Sequence, residues 1–216
     1  MSKKCKKRLI TGVLFLAAFA VWTLLVKHVD VRAIGPNGTL VGFASINKYV
    51  HSLFGVNTVL YSVTDWLGLV PIFMAFSFAV LGLFQWIKRK SLLAVDKSIL
   101  LLGVFYAFVA AVYIFFEFVI INYRPILING CLEPSYPSST TLLALSVMPT
   151  TLIQIKNRIK GYGLRVFIEL IVVIFTAFMV IGRIFAGVHW ITDIFGGAML
   201  SCGLVRLYSC CVEILD

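Results

Sequence analysis

The chain has 216 residues, of which 61% are apolar and only 13% charged, with 18 Phe, and its mean hydropathy is +1.01. That balance excludes an ordinary water-soluble domain and predicts an integral membrane protein. The net charge of +10 suggests a nucleic-acid ligand only until the basic residues are sorted by membrane side, because polytopic proteins concentrate Lys and Arg on one side. No nucleic-acid partner is expected.

Taken in chain order, apolar runs at Leu9–Val26, Trp66–Ile87, Ile99–Ile121, Thr141–Ile155, Leu164–Ile184 and His189–Tyr208 each approach the roughly 20 residues that a helix needs to cross a bilayer. The fold class predicted is all-α, a six-transmembrane-helix bundle forming one domain over residues 1–216, with a core bearing the polar motifs over about 98–208. The first run resembles a signal peptide, with basic residues before it and Ala18-Phe19-Ala20 as a cleavage site, but apolar sequence continues to Val26 and predicts an uncleaved span. In the connection Lys27–Asp65, Gly35-Pro36-Asn37-Gly38 reads as a turn. The stretch Val41–Leu53 that follows, with Val41, Phe43, Ile46, Val50 and Leu53 apolar, reads as an amphipathic segment lying on the membrane interface. Pro149 falls inside the fourth run and predicts a kink there.

With the N-terminus inside, fourteen of the nineteen Lys and Arg fall on the inner side: Lys3, Lys4, Lys6, Lys7, Arg8, Lys88, Arg89, Lys90, Lys97, Lys156, Arg158, Lys160, Arg165 and Arg206. Both termini are therefore expected in the cytoplasm. Of the five cysteines only Cys131 faces outward, so no outer disulfide within one chain is expected. No Cys/His spacing matches a metal site, and the cysteines are read as space-filling, with Cys210-Cys211 as a candidate for lipidation.

Polar residues in and beside spans are costly, so their positions carry information. Three clusters fall at the outer side: Glu117 through Arg124-Pro125 after the third run, Tyr136-Pro137-Ser138-Ser139-Thr140-Thr141 before the fourth, and Gly182-Arg183 through His189 and Asp193 between the fifth and sixth. His189 and Asp193 at i and i+4 share a face if helical, where the carboxylate orients the imidazole as in an activated nucleophile or base. Arg124 and Arg183, with a helix N-terminus bearing Ser138 and Ser139, make a site for a tetrahedral oxyanion such as phosphate. Taken singly, each cluster also has a structural reading: a helix cap, an interfacial anchor, a structural His-Asp pair. Their convergence on one face favours the phosphate site. His28 and His51 are read as interfacial polar residues. Apart from Glu117 and Glu169 the spans carry few charges midway, which disfavours a transporter or channel.

These clusters resemble the three motifs of the type 2 phosphatidic acid phosphatase (PAP2) superfamily, K-x6-R-P, P-S-x-H and S-R-x5-H-x3-D. Arg183, His189 and Asp193 keep the full spacing of the third motif. The resemblance implies a six-helix membrane bundle in which His189 attacks phosphorus to give a phosphohistidine and Asp193 orients it. Arg124, Arg183, Ser138, Ser139 and Thr140 would surround the phosphoryl group, and no metal or other cofactor is implied. Three positions depart from the family. Gly182 replaces Ser, Glu117 replaces Lys, and Thr140 replaces the His that protonates the leaving alkoxide. An ionised Glu117 at 4 Å from a phosphate charge would cost on the order of 4 kcal/mol at an effective dielectric of about 20. General acid catalysis is typically worth about 10²–10⁴-fold, and a Thr hydroxyl does not supply it. A leaving group that is itself phosphate, as in undecaprenyl or another polyprenyl diphosphate, needs little protonation. Glu117, two turns before Arg124 if the helix continues, is the candidate substitute acid, with Glu133 as its rival. The expected function is a phosphatase or phosphotransferase acting on a lipid phosphate or diphosphate at the extracytoplasmic face of a bacterial plasma membrane. The alternative is a degenerate relative that binds a lipid phosphate or a partner protein without turnover.

Overall fold

In lipid the backbone must satisfy its own hydrogen bonds, so long apolar segments fold as helices. The computed structural model describes residues 1–215. Its elements in chain order are α1 (Lys3–His28), β1 (Arg32–Ala33), β2 (Leu40–Val41), α2 (Ala44–Phe54), α3 (Thr58–Leu67), α4 (Leu69–Arg89), α5 (Lys97–Phe118), α6 (Ser139–Arg158), α7 (Tyr162–Ala186) and α8 (Ile191–Leu215). Among the described residues, five segments are long and apolar enough to cross a membrane: Lys3–His28, Thr58–Arg89, Lys97–Phe118, Tyr162–Ala186 and Ile191–Leu215. The fold is thus an all-α membrane bundle. The fourth expected run is the helix α6, which falls short of the others in apolarity and packs instead between α4, α5, α7 and α8. Its Ser146, Thr150, Thr151 and Gln154 are buried, so its polar side chains meet protein rather than lipid. Pro149 sits inside α6 without ending it. The hydroxyl of Thr150 donates to Ser146 O (2.8 Å) and that of Thr151 to Val147 O (2.9 Å), supplying donors beside the proline.

Three boundaries differ from the sequence expectation. The second span begins at Thr58, not Trp66, because the Asn57 side chain caps it by accepting from Leu60 N at 2.9 Å. Helix α5 stops at Phe118, and residues 119–138 form an irregular loop with antiparallel bridges Tyr123–Pro134 and Ile128–Cys131. Glu117 and Arg124 therefore do not share a helical face. His189 precedes α8, in the turn from Gly187 to Trp190, so it and Asp193 are not stacked on one helix either.

The Gly35–Gly38 turn joins β1 to β2 as an antiparallel hairpin. The amphipathic stretch becomes α2, which exposes Ile46 and Leu53 and buries Asn47. Asn47 Nδ2 donates to Gly42 O (2.8 Å) and Thr192 Oγ1 (3.0 Å), so α2 is fastened to the start of α8.

Helices α1 and α8 run antiparallel along the bundle. Added Cβ atoms at Gly12 and Gly203 would each meet the other's carbonyl oxygen at 3.2 Å, so the small residues allow the two backbones to cross closely. At the end away from the motifs, Cys5 and Cys210 form a disulfide, correcting their reading as space-filling residues and leaving Cys211 as an exposed thiol. Arg8 pairs with Glu213 at 2.7 Å beside it. The apolar core, formed by Leu102, Phe105 and Val109 of α5, Leu142 of α6, and Leu200, Leu204, Tyr208 and Val212 of α8, holds these helices in register.

Candidate phosphate site

The site lies where the α7–α8 turn meets the irregular loop before α6. Gly187 ends α7 with φ +66, and a Cβ there would come within 1.8 Å of Gly55 O, so only glycine lets residues 55–57 cross this close. Asn57 N donates to Ala186 O (3.1 Å) and His51 Nε2 donates to Gly187 O (3.2 Å), pinning the turn that carries His189.

His189 is 5% exposed. Its Nε2 lies 3.3 Å from Arg124 Nη1 and 3.4 Å from Arg183 Nη2. Guanidinium nitrogens only donate, so Nε2 is the acceptor and carries no proton. The proton is on Nδ1, which donates to Ser135 O at 3.2 Å. Asp193 Oδ2 is farther from Nδ1, at 3.9 Å. The backbone carbonyl of Ser135, rather than the carboxylate, makes the close contact that sets the tautomer. Burial, with Arg124 and Arg183 adding to it, holds the imidazole pKa well below the ordinary His value. A neutral imidazole with its free lone pair directed between two guanidinium groups is suited to attack an electrophile that carries anionic oxygens.

Asp193 is fully buried. Its Oδ2 accepts from Trp190 N (3.0 Å), and its Oδ1 accepts from Asn122 Nδ2 (3.2 Å). Asn122, itself 1% exposed, also accepts from Ser135 N (2.9 Å) and Ser135 Oγ (3.2 Å) through its carbonyl. Asn122 therefore links Asp193 to the residue that holds His189. Neither Asn122 nor Ser135 carries a sequence signal of this role, because both act through long-range contacts of the irregular loop.

Arg124 Nε lies 3.0 Å from Glu133 Oε2, so Glu133 is this arginine's ion-pair partner. Arg183 is 1% exposed and is gripped from α3: Nη1 lies 3.2 Å from Thr64 Oγ1 and 3.9 Å from Asp65 Oδ1, and Cζ stands 5.2 Å from the centre of the Tyr61 ring. Glu117 is exposed and lines a small hollow together with Tyr113, Ser135, Ser139 and His189. Ser138 is buried, and its Oγ has no hydrogen-bond partner among the described residues. Ser139 is half-buried and opens on both that hollow and a neighbouring apolar one, whereas half-buried Thr140 lines only the latter. Arg124, Arg183, His189 and Asp193 are thus brought together, while Thr140 does not share the hollow of His189. No group of three His, Cys, Asp or Glu side chains is placed to hold a metal ion among the described residues.

No curated protein matches the sequence. The whole fold is similar to the crystal structure of the first transmembrane PAP2 type phosphatidylglycerolphosphate phosphatase from Bacillus subtilis, with a TM-score of 0.70 at 17% identity, covering 95% of this chain and 98% of that one. The family model of the PAP2 superfamily matches residues 70–215. That span takes in Arg124, Ser138, Arg183, His189 and Asp193 but stops short of the α3 residues that grip Arg183. On that match, together with the shared transmembrane fold, the chain belongs to the PAP2 superfamily.

Proposed function

We propose that the protein is a membrane phosphatase that removes phosphate from a lipid phosphate or polyprenyl diphosphate, with His189 as nucleophile. The observation that carries this reading is the position of His189 Nε2, unprotonated and within 3.4 Å of both arginines. Nε2 attacks phosphorus as the bond from phosphorus to the leaving oxygen breaks, giving a phosphohistidine. Water then attacks phosphorus, the P–N bond breaks, and inorganic phosphate leaves with the imidazole neutral again. Arg124 and Arg183 stabilise the phosphoryl oxygens throughout, and Asp193 and Ser135 hold the ring. A monophosphate ester leaves as an alkoxide that needs a proton, for which Glu117 in the hollow beside His189 is the candidate donor. A diphosphate leaves as a phosphate anion and needs little help.

A lipid substrate is supported by an apolar hollow of ≈ 470 Å³ lined by Leu69, Ile72, Val109 and Leu143 together with the polar Ser139 and Thr140. A second hollow of ≈ 640 Å³ shares Ile72, Ala75 and Tyr106 with it and reaches Trp86 and Leu92. The positive-inside bias supports a site on the extracytoplasmic face of the plasma membrane with both termini in the cytoplasm. Thr140, in place of an acid, favours the second reading, a relative that binds a lipid phosphate without turnover.

The test is phosphate release by purified protein in detergent from phosphatidylglycerophosphate, phosphatidic acid and a polyprenyl diphosphate, beside His189→Ala. Release that depends on His189 is expected. No release from any of the three, or equal release by both proteins, refutes the phosphatase and leaves the binding reading.

A further inference from the structure

The guanidinium of Arg183 can do its work only if its orientation is set, and the groups that set it lie on α3, outside the segment 70–215 that the family model matches. Thr64 is fully buried. Its single hydroxyl proton is directed back along its own helix, with Leu60 O at 2.8 Å and Tyr61 O at 3.0 Å. What Oγ1 offers Arg183 Nη1, 3.2 Å away, is therefore a lone pair. With Nη1 held there and the guanidinium lying over the Tyr61 ring, the rigid fork turns Nη2 toward His189 Nε2.

The residue before Arg183 makes room for this contact. A Cβ built on Gly182 would lie 2.7 Å from Thr64 Cγ2 and 3.8 Å from Leu60 Cδ1. Gly182 is an ordinary helical position in α7 with no positive φ, so the backbone does not require glycine there; the Thr64 methyl does.

We infer that Thr64 and Gly182 are a matched pair that positions Arg183 for the phosphoryl group: the glycine admits the threonine, and the threonine hydroxyl orients the arginine. This rests on the phosphate-site reading above. Thr64 touches neither the nucleophile nor the substrate and acts only through Arg183, as a positioning residue.

The pair predicts a pattern that a general packing role does not. Gly182→Ala adds the Cβ that meets Cγ2, and Thr64→Ser deletes Cγ2 while keeping the hydroxyl. Thr64→Val keeps the shape and deletes the acceptor. Thr64→Val is expected to lose roughly ten- to hundred-fold in kcat/KM, the range for removing a hydrogen bond to a charged group. Gly182→Ala should lose about as much, and adding Thr64→Ser to Gly182→Ala should recover most of that loss. Adding Thr64→Val to Gly182→Ala should recover none.

Two readouts separate this inference from the one beneath it. Turnover of phosphatidylglycerophosphate is measured for all variants, and so is the rise in melting temperature in detergent on adding inorganic phosphate. Recovery by serine but not by valine, in turnover or in the phosphate-induced rise if the native chain does not turn over, is the expected result. Equal behaviour of the serine and valine double variants overturns the pairing. Native turnover or phosphate binding that is unchanged in Thr64→Val and Gly182→Ala overturns it while leaving the phosphate site standing. A native chain that neither turns over lipid phosphate nor is stabilised by phosphate overturns both.

Discussion

Replacing Arg183 separates charge from shape at the site. The side chain is 1% exposed and reaches Thr64 with Nη1 and His189 with Nη2, 3.2 and 3.4 Å away respectively. A phosphoryl oxygen approaching His189 therefore comes within about 4 Å of the guanidinium, where one unit of charge is worth about 4 kcal/mol at an effective dielectric of 20. Removing the charge with Arg183→Gln should accordingly lower kcat/KM by about 10³-fold, since each 1.36 kcal/mol is tenfold. Arg183→Lys keeps the charge but replaces a two-sided fork with a single ammonium, which cannot hold Thr64 and face the phosphoryl group at once. The expected loss is one charge-assisted hydrogen bond, about 1.5–3 kcal/mol or roughly ten- to hundred-fold. The assay is initial phosphate release from phosphatidylglycerophosphate and from a polyprenyl diphosphate in detergent, with helical content and melting followed for each variant. A folded Arg183→Lys protein as active as the native chain, or a folded Arg183→Gln protein within tenfold of it, would refute the assignment of Arg183 to the phosphoryl group.

Other consequences follow from the same geometry. Because the His189 pKa is held below its ordinary value of about 6.5, the imidazole stays neutral as pH falls through that value. The acid limb of the kcat/KM profile should lie below pH 6.5 and shift upward in Arg124→Gln; a native limb above pH 6.5 contradicts the site's electrostatics. Thr140→His should raise turnover of phosphatidic acid more than that of a diphosphate, since only the alkoxide needs the proton, and the opposite preference argues against the leaving-group reasoning. Asn122→Ala should lower the melting temperature by the loss of its buried side-chain bonds, Nδ2 to Asp193 and Oδ1 from Gly42 N, and Asn122→Asp should lower it further by setting a carboxylate against Asp193. A melting curve in which the aspartate variant is the more stable of the two removes Asn122 from that role.

Five of the six expected spans were readable because each apolar run is bounded by Gly, Pro or charge, and the meeting of the three clusters followed from their lying at one end of the consecutive helices α5 to α8. Their local geometry was not readable. Apolar sequence runs on from Phe118 through Ile121, so hydropathy carries the third helix past the point where the chain actually turns. The start of α3 did leave a signal, the cap at Asn57, which was masked by the polar residues between it and Trp66. His189 and Asp193 have the spacing of a helical pair, yet the Gly187 turn and the start of α8 at Ile191 place them in a turn and a helix. The contacts of Ser135, Asn122 and Thr64 join residues distant in sequence, and no periodicity encodes them. Gly182 looked like the loss of a hydroxyl when read along the chain, but in space it is where α3 brings one in.

The disulfide at the foot of the α1–α8 seam, with Ser2 bonded to Glu213 beside it, brings the start of α1 and the end of α8 side by side. A short linker between these two helix ends would run α8 directly into α1, and new ends could be opened at residues 159–161, between α6 and α7. Such a chain would be synthesised with Arg183, His189 and Asp193 ahead of Arg124 and Ser138, inverting the order of the motifs while keeping every element whole. The site depends on which helix ends meet, and the order in which they are made is not part of its chemistry.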